Sequence, residues 1–238
     1  MNPIAFHRPI VAIACRNLAL AATLVAATSI VHATNYDEVA QGDLSNSPSA
    51  PTSIGALTPG INRISGTTIP TGTFDPNSHS YSNPDNDYVT FTVPTGYVLS
   101  QALVDNDTII QSTDRLFLGI AQGSTVSVDP SFTSAAGLLG WTLVGASLVG
   151  ADVLPALGAS APANFPPIGG ATGFTGSLPS GQYTLWILDG DAPVAYDFKL
   201  SVTQAVPEPS SWALMMGGFA LTGWTVRRRG VLRVSRPS

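Results

Sequence analysis

The sequence between residues 34 and 205 alternates between apolar and polar side chains with a period of two. Residues 196–202 (Tyr-Asp-Phe-Lys-Leu-Ser-Val) place four apolar side chains on one face and three polar ones on the other. Because successive side chains of a β-strand point to opposite faces of the sheet, this pattern predicts strands that are buried on one face. Residues 183–188 are apolar at nearly every position, which predicts a central strand buried on both faces.

About eight such strands fit into this region, which predicts an all-β fold, a two-sheet jelly-roll-like β-sandwich. Reverse turns are indicated by Pro94-Thr95-Gly96 and Pro179-Ser180-Gly181. Residues 152–157 predict a single helical turn with Asp152 as its N-cap, and residues 162–176 predict a long surface loop. The strand candidates are residues 52–57, 61–68, 88–93, 98–104, 116–120, 138–144, 183–188 and 196–202.

Charged residues divide the chain into three parts. The chain has 10 basic and 15 acidic residues. Residues 1–33 hold two arginines and no acid, and residues 206–238 hold five arginines and one acid. Residues 34–205 therefore keep three basic and 14 acidic residues, a net charge of −11. This balance excludes a basic nucleic-acid-binding domain, and a composition of 44% hydrophobic and 11% charged residues excludes a disordered chain.

The first 33 residues have the organisation of a secretory signal peptide. Two arginines precede an uncharged apolar run at residues 18–31, and small residues at the positions inspected by signal peptidase predict cleavage between Ala33 and Thr34. The run of about 14 residues is shorter than the ~20 that span a bilayer. Cleavage would remove Cys15, the only cysteine, so the mature protein would contain no disulfide. A permanent anchor and lipidation of Cys15 are the alternatives.

The last 33 residues combine a proline-rich start, an apolar stretch and an arginine cluster, in that order. The prolines hold the backbone near the extended polyproline II shape. At 1.5 Å per residue the apolar stretch is about 22 Å long, less than the ~30 Å hydrocarbon core. It predicts a short transmembrane helix with its arginines on the cytoplasmic side; a buried core helix is the alternative. The three elements are Val206, Pro207, Glu208 and Pro209, then residues 212–226, then Arg227, Arg228 and Arg229.

This C-terminal segment resembles the PEP-CTERM sorting signal. The resemblance covers roughly 24 residues and departs in one respect, because nine residues, 230–238, follow the arginine cluster. It implies an exported protein of an exopolysaccharide-producing Gram-negative bacterium, anchored transiently in the inner membrane. It also implies cleavage in or near Pro207-Glu208-Pro209 by exosortase, a membrane transpeptidase-like enzyme. The chain would then be released to the cell surface or the extracellular matrix.

Residues 34–205 resemble bacterial pre-peptidase C-terminal (PPC-like) domains through a series of strand-and-turn motifs. The resemblance implies a jelly-roll sandwich that assists the localisation or binding of secreted enzymes. The chain is thus expected to contain a signal peptide (1–33), a β-sandwich domain (34–205) and a sorting signal (206–238). The motifs are residues 37–38, 42–45, 51–52, 59–60, 62–66, 87–94 (Asp-Tyr-Val-Thr-Phe-Thr-Val-Pro) and 178–186 (Leu-Pro-Ser-Gly-Gln-Tyr-Thr-Leu-Trp).

The region contains few residues suited to catalysis. After signal cleavage the only histidine is His79, in a segment expected to be a loop, where a solvated surface histidine is the simplest interpretation. There is no Gly-x-Ser-x-Gly, histidine-rich metal pattern or phosphate-binding glycine loop. We therefore expect no enzymatic activity and no catalytic residues. A hydrolase that uses a pair of carboxylates is the alternative, which would require a cleft with converging acids.

Acidic residues occur in pairs two positions apart at predicted strand ends. Calcium requires six to eight oxygen ligands from flexible loops, and such Asp-x-Asp turns can supply them. The pairs also suit ordinary turns, since Asp and Asn side chains hydrogen-bond to nearby backbone. No cofactor is expected other than calcium, and convergence of two pairs in space would favour it. The pairs are Asp85 and Asp87, which are the foremost candidates, Asp105 and Asp107, and Asp189 and Asp191.

These observations predict a non-catalytic β-sandwich with a structural or adhesive role at the cell surface or in the extracellular matrix. Its processing partners would be signal peptidase and exosortase, with transient contact to the inner membrane and none to nucleic acid. The alternative is a carbohydrate-binding module for exopolysaccharide, which would need exposed aromatic side chains. Candidates for that role are Tyr81, Tyr97, Trp141 and Trp186, although Trp186 lies on the predicted central strand.

Overall fold

The computed structural model describes residues 33–75, 80–111, 114–128, 134–159, 169–188 and 192–206, together with Met216 and residues 218–220. Met216 and residues 218–220 are helical, and no helix in the described parts of the chain is long and apolar enough to cross a membrane. Most of the predicted transmembrane helix, at residues 212–226, and residues 1–32 of the predicted signal peptide lie outside the described residues. The same holds for His79, Asp189, Asp191, Pro207, Glu208, Pro209, Arg227, Arg228 and Arg229.

The described chain is built mainly from β-strands, and between residues 33 and 206 it contains two short α-helices. The helices are α1 (Glu38–Gln41) and α2 (Leu154–Gly158). The strands are β1 (Asn35–Asp37), β2 (Thr52–Ala56), β3 (Gly60–Thr68), β4 (Thr71–Asp75), β5 (Ser80–Asn83), β6 (Asn86–Val93), β7 (Tyr97–Val104), β8 (Leu116–Gln122), β9 (Gly140–Val144), β10 (Gly181–Leu188) and β11 (Val194–Gln204).

Two mixed sheets form the body of the domain. One has four strands in the order β1-β3-β11-β7, and the other has five in the order β2-β6-β10-β8-β9. Most neighbours are antiparallel, but β1 pairs with β3 and β2 pairs with β6 in parallel. Strands β4 and β5 form a separate two-stranded ribbon. The prediction of an all-β, two-sheet fold is confirmed, whereas its jelly-roll connectivity stays a prediction.

The two larger sheets share one apolar core. Phe198 and Leu200 of β11 belong to the same buried cluster as Val89 and Phe91 of β6, and each is at most 1% exposed. They occupy alternate positions on their strands, as the period-two pattern predicts. Burying one such side chain contributes about 1.5–3 kcal/mol, so this shared core holds the two sheets together as a sandwich.

A second apolar cluster covers the outer face of the five-stranded sheet. Trp186 of β10 lies 4.7 Å from Phe117 and 5.6 Å from Tyr88, measured between ring centroids. Phe117 in turn stacks on Trp141, 5.8 Å away. The connecting segments on either side of residues 129–133 cover these rings with Val126, Val128, Ala135 and Leu138. Strand β10 is therefore buried on both faces, which confirms the prediction made from its apolar sequence.

Three strands escape the alternation pattern, and the predicted helical turn has a different N-cap. Strands β1, β4 and β5 are short and mostly polar, and β1 buries only Tyr36, so none of them shows the alternation that the pattern detects. Helix α2 begins at Leu154 and its N-cap is Val153, so the prediction of Asp152 as N-cap is wrong. The Asp152 side chain is nevertheless close by, because its Oδ1 accepts hydrogen bonds from the amides of Leu154 and Ala102, both at 3.0 Å.

The predicted turn before β7 is confirmed. The amide of Tyr97 donates to the carbonyl oxygen of Pro94 at 3.1 Å. Gly96 has a φ of 83°, in the left-handed region that favours glycine. Pro94 in turn follows the last residue of β6, so the turn fixes where β6 ends and where β7 begins.

We predict that Trp141→Ala destabilises the protein by about 3–5 kcal/mol, the usual cost of removing a large buried aromatic side chain. Tyr97→Ala is the control, since Tyr97 is only half-buried on edge strand β7 and its loss should cost clearly less. Denaturant unfolding monitored by fluorescence or circular dichroism would measure both. Equal losses for the two variants would contradict the role assigned to the second cluster.

Candidate functional site

The first turn of the described chain positions a glutamate at one end of the sandwich. Strand β1 pairs with β3 and leads directly into α1. Asp37 caps this single turn, because its Oδ1 accepts a hydrogen bond from the amide of Val39 at 3.1 Å. Gly42 ends the turn, and its carbonyl oxygen accepts a hydrogen bond from the Tyr36 hydroxyl at 2.8 Å. Local capping thus sets the direction of Glu38, the first residue of α1.

Glu38 is held by hydrogen bonds from three directions. Its Oε2 accepts from the amide of Thr67 at 2.7 Å, and its Oε1 accepts from the amide of Leu44 at 3.2 Å. The Tyr196 hydroxyl lies 2.9 Å from the same Oε1. Gly66 makes this approach possible, because a Cβ there would lie 2.3 Å from the Glu38 carboxyl and 2.4 Å from the Tyr196 hydroxyl. The glutamate is therefore fixed in place before any ligand arrives.

Asp87 meets this glutamate from the opposite sheet. It lies on β6, on the same face as the core residues Val89 and Phe91, and it is 0% exposed. Its Oδ2 is 2.9 Å from the Tyr196 hydroxyl, while its buried Oδ1 has no hydrogen-bond partner among the described residues. One oxygen each of Glu38, Asp43 and Asp87 lie within 4.8 Å of one another. We call these three carboxylates the acidic site.

The proximity of these acids and their burial change their pKa values. Burial raises the pKa of Asp87 to about 8, and the charge of Glu38 adds to the rise. Burial also raises the pKa of Glu38 and of Asp43, although the hydrogen bond from Thr67 opposes the rise at Glu38. Burial, followed by the charge of Asp87, raises the pKa of Tyr196, so its hydroxyl keeps its proton. Without a cation, Asp87 is thus protonated at neutral pH.

A polar cleft lies beside the acidic site. Its volume is about 450 Å³, and it shares Asp43 with the site. Asp85 lines the cleft and accepts a hydrogen bond from the amide of Ile69 at 2.7 Å. The polar residues Asn46, Thr67, Thr71 and Asn83 also line it. The cleft therefore gives small ions and water a polar approach to the exposed side of the acidic site.

A second group of carboxylates lies elsewhere in the domain, and two basic side chains contact it. Carboxylate oxygens of Asp105, Asp107 and Asp197 also lie within 4.8 Å of one another; we call them the paired cluster. Arg63 donates from Nε to both oxygens of Asp197 at 2.8 Å, and its Nη2 contacts Asp107 at 3.2 Å. Lys199 Nζ lies 2.7 Å from Asp105 and lowers the pKa of that carboxyl through their hydrogen bond. The charges of the paired cluster are therefore largely compensated.

At the acidic site, the structure brings together different acids from those that the Asp-x-Asp spacing predicts. Asp87 meets Glu38 and Asp43, whereas Asp85 binds the Ile69 amide beside the cleft. The reason is where the strand begins. Residue 87 lies within β6 and points into the sandwich, whereas residue 85 precedes the first residue of that strand, Asn86.

The second predicted pair, Asp105 and Asp107, does converge, and it does so with Asp197 on the polar face of β11. Glu38, Asp43 and Asp197 were missed, because no local spacing connects them to the other acids. The parallel pairing of β1 with β3, which sequence alternation does not reveal, is what delivers Glu38.

The aromatic candidates for carbohydrate binding fall into two groups. Trp141 and Trp186 are each 0% exposed and pack in the second cluster, so the prediction that Trp141 could be a surface binding residue is wrong. Tyr81 and Tyr97 are half-buried. Tyr81 packs on Phe74 across the β4–β5 ribbon, with ring centroids 5.1 Å apart.

Comparison with known proteins identifies the C-terminal segment. Residues 205–229 match the PEP-CTERM protein-sorting motif. This motif indicates exosortase-dependent sorting of an exported protein, with membrane-associated processing at the C-terminus. No curated protein and no solved structure matches the chain. The sandwich therefore has to be interpreted from its own residues.

We predict that the free energy of unfolding in chelator-containing buffer falls as pH rises from near 3.8, the ordinary pKa of Asp, to about 8. In this window the folded state keeps the Asp87 proton while the unfolded state loses it, so rising pH favours unfolding. Asp87→Asn removes this titration and should be more stable than the wild type near pH 8, but not near pH 4. Denaturant titrations at several pH values would measure the effect, and an unchanged pH slope in the variant would contradict it.

Proposed function

We propose that this chain is exported, trimmed at both ends, and delivered to the cell surface or the extracellular matrix as a non-catalytic structural or adhesive β-sandwich. The observation that carries this proposal is the position of the sorting motif. Strand β11 ends at Gln204, and the match to the motif begins at residue 205. The last strand of the domain and the sorting motif therefore adjoin without overlapping.

The C-terminal boundary suits a cleavage that leaves the domain intact. The amide of Ala205 donates to the carbonyl oxygen of Gly96 at 2.8 Å. Val206, the next residue, is 85% exposed. A cut in or near Pro207-Glu208-Pro209 would therefore remove the sorting signal without breaking a hydrogen bond described within the sandwich.

The N-terminal boundary is equally compatible with signal peptidase cleavage between Ala33 and Thr34. Ala33 is exposed. Thr34 is attached to both sheets: its hydroxyl donates to the Ala56 carbonyl oxygen at 3.1 Å, and its own carbonyl oxygen accepts from the Arg63 amide at 3.0 Å. Its backbone nitrogen also lies 3.1 Å from Oδ1 of the buried Asn62. Thr34 would thus be a well-anchored first residue of the mature protein.

The burial of Asp87 supports a non-catalytic role. Asp87 has a pKa of about 8, which would suit proton transfer, but it is 0% exposed and cannot reach a polymeric substrate in this fold. In the paired cluster, Arg63 and Lys199 engage the carboxylates. A hydrolase is therefore the less supported alternative.

Exopolysaccharide binding is the second candidate function, favoured by the β4–β5 ribbon. Tyr81 and Phe74 form an aromatic pair there, and Thr71 and Asn83 of the same ribbon line the polar cleft. Aromatic faces beside hydrogen-bonding groups are suited to sugar rings. In a pull-down with the host's exopolysaccharide, Tyr81→Ala should reduce the bound fraction several-fold, whereas Tyr97→Ala should not. Equal binding by both variants and the wild type would remove this candidate.

The sorting proposal predicts the mass of the mature protein. In a host that contains exosortase, the mature chain should begin at Thr34 and lack Arg227, Arg228 and Arg229, and it should be recovered from the surface or the medium. Deletion of exosortase, or replacement of both Pro207 and Pro209 by alanine, should leave the arginines in place and the chain in the membrane fraction. Intact-mass spectrometry of each fraction tests this. Retention of the arginines in the exosortase-containing host would show a permanent anchor instead.

A further inference from the structure

The acidic site has no cation of its own among the described residues. Residues 34–205 contain three basic residues, Arg63, Arg115 and Lys199. Arg63 and Lys199 pair with the paired cluster, and Arg115 donates to the carbonyl oxygen of Asp114 at 2.8 Å. The three carboxylates of the acidic site therefore face one another without a described counter-charge.

A second observation that points to a ligand is the environment of Asp87. Its Oδ1 is buried and has no hydrogen-bond partner among the described residues, while its Oδ2 contacts the Tyr196 hydroxyl. A buried acceptor without a partner destabilises a fold unless something else satisfies it. The side chain is fully buried, so any group that binds its Oδ1 has to enter the site.

We propose that the acidic site binds one calcium ion, with Glu38, Asp43 and Asp87 supplying carboxylate ligands. Hard cations select oxygen ligands, and residues 34–205 contain no cysteine and a single histidine. Calcium accepts six to eight oxygens in an irregular arrangement, whereas magnesium requires near-ideal octahedral geometry. The adjoining polar cleft supplies room for water and further oxygens to complete the coordination.

The ligands are already oriented by a surrounding layer of hydrogen bonds. The amides of Thr67 and Leu44 hold Glu38, and the Tyr196 hydroxyl lies 2.9 Å from both Glu38 and Asp87. Such outer contacts fix the direction of ligand side chains. Glu38 and Asp43 belong to the N-terminal segment, whereas Asp87 belongs to β6. A bound ion would therefore connect the N-terminal segment to β6. Calcium binding is therefore expected to stabilise the folded domain.

The paired cluster provides an internal control. It contains the same number of carboxylates at a comparable spacing, but Arg63 and Lys199 already compensate two of its three charges. Asp107→Asn removes a carboxylate from that cluster at an exposed position. Asp87→Asn removes one from the acidic site while keeping the size of the side chain. The two variants thus differ in which cluster they alter.

A thermal-unfolding titration of the purified processed protein tests the proposal. After chelator treatment, calcium at about 10-fold above its Kd should raise the wild-type Tm by about 3–6 °C. Asp107→Asn should keep this shift and Asp87→Asn should lose it. An equal shift with magnesium at the same concentration would indicate general charge screening and overturn the proposal, as would the absence of any calcium shift in the wild type.

Terbium luminescence gives a second readout that does not depend on stability. Terbium occupies calcium sites, and emission excited through tyrosine requires an aromatic ring close to the ion, as Tyr196 is here. We expect emission from the wild type and Asp107→Asn that calcium displaces, and loss of this emission in Asp87→Asn and in Glu38→Gln. Undiminished emission in both site variants would overturn the assignment.

The calcium inference and the sorting proposal can fail separately. A protein that is trimmed and exported but shows no calcium response overturns only the calcium site. A protein that binds calcium as expected but retains its C-terminal arginines overturns only the sorting proposal.

Discussion

Asp87 is a buried carboxyl group that requires either a proton or a counter-ion, and one end of the sandwich is organised around this requirement. Tyr196 from the other sheet contacts it, and Glu38 approaches through the space left by Gly66. Without a cation, burial and the neighbouring acids raise the pKa of Asp87 to about 8, so a proton satisfies the requirement. With calcium, the same oxygens would become ligands. Loss of the Asp87 proton is therefore expected to destabilise the fold without calcium and to stabilise it when calcium is present.

The proposed calcium site would connect the domain to its export. Two of its three carboxylates, Glu38 and Asp43, lie within the first ten residues after the predicted signal cleavage. If calcium holds the N-terminal segment against the sandwich, the domain would reach its full stability only where calcium is plentiful, outside the cytoplasm. The sorting motif at residues 205–229 indicates that the protein is exported.

The sequence predicted the parts of this structure that depend on periodicity and missed those that depend on pairing. Alternation in residues 196–202 and 183–188 identified β11 and β10, including the burial of β10 on both faces. The polar strands β1, β4 and β5 are too short to show an alternating buried face. The same limit applies to the site: Asp87 was a candidate because of its spacing from Asp85, but its partners Glu38 and Asp43 arrive through the parallel pairing of β1 with β3.

A crystal structure of the processed protein grown with calcium, with anomalous scattering used to locate the ion, would test the calcium site. We expect one anomalous peak about 2.3–2.6 Å from carboxylate oxygens of Glu38, Asp43 and Asp87. A peak at the paired cluster of Asp105, Asp107 and Asp197, or none at the acidic site, would contradict it.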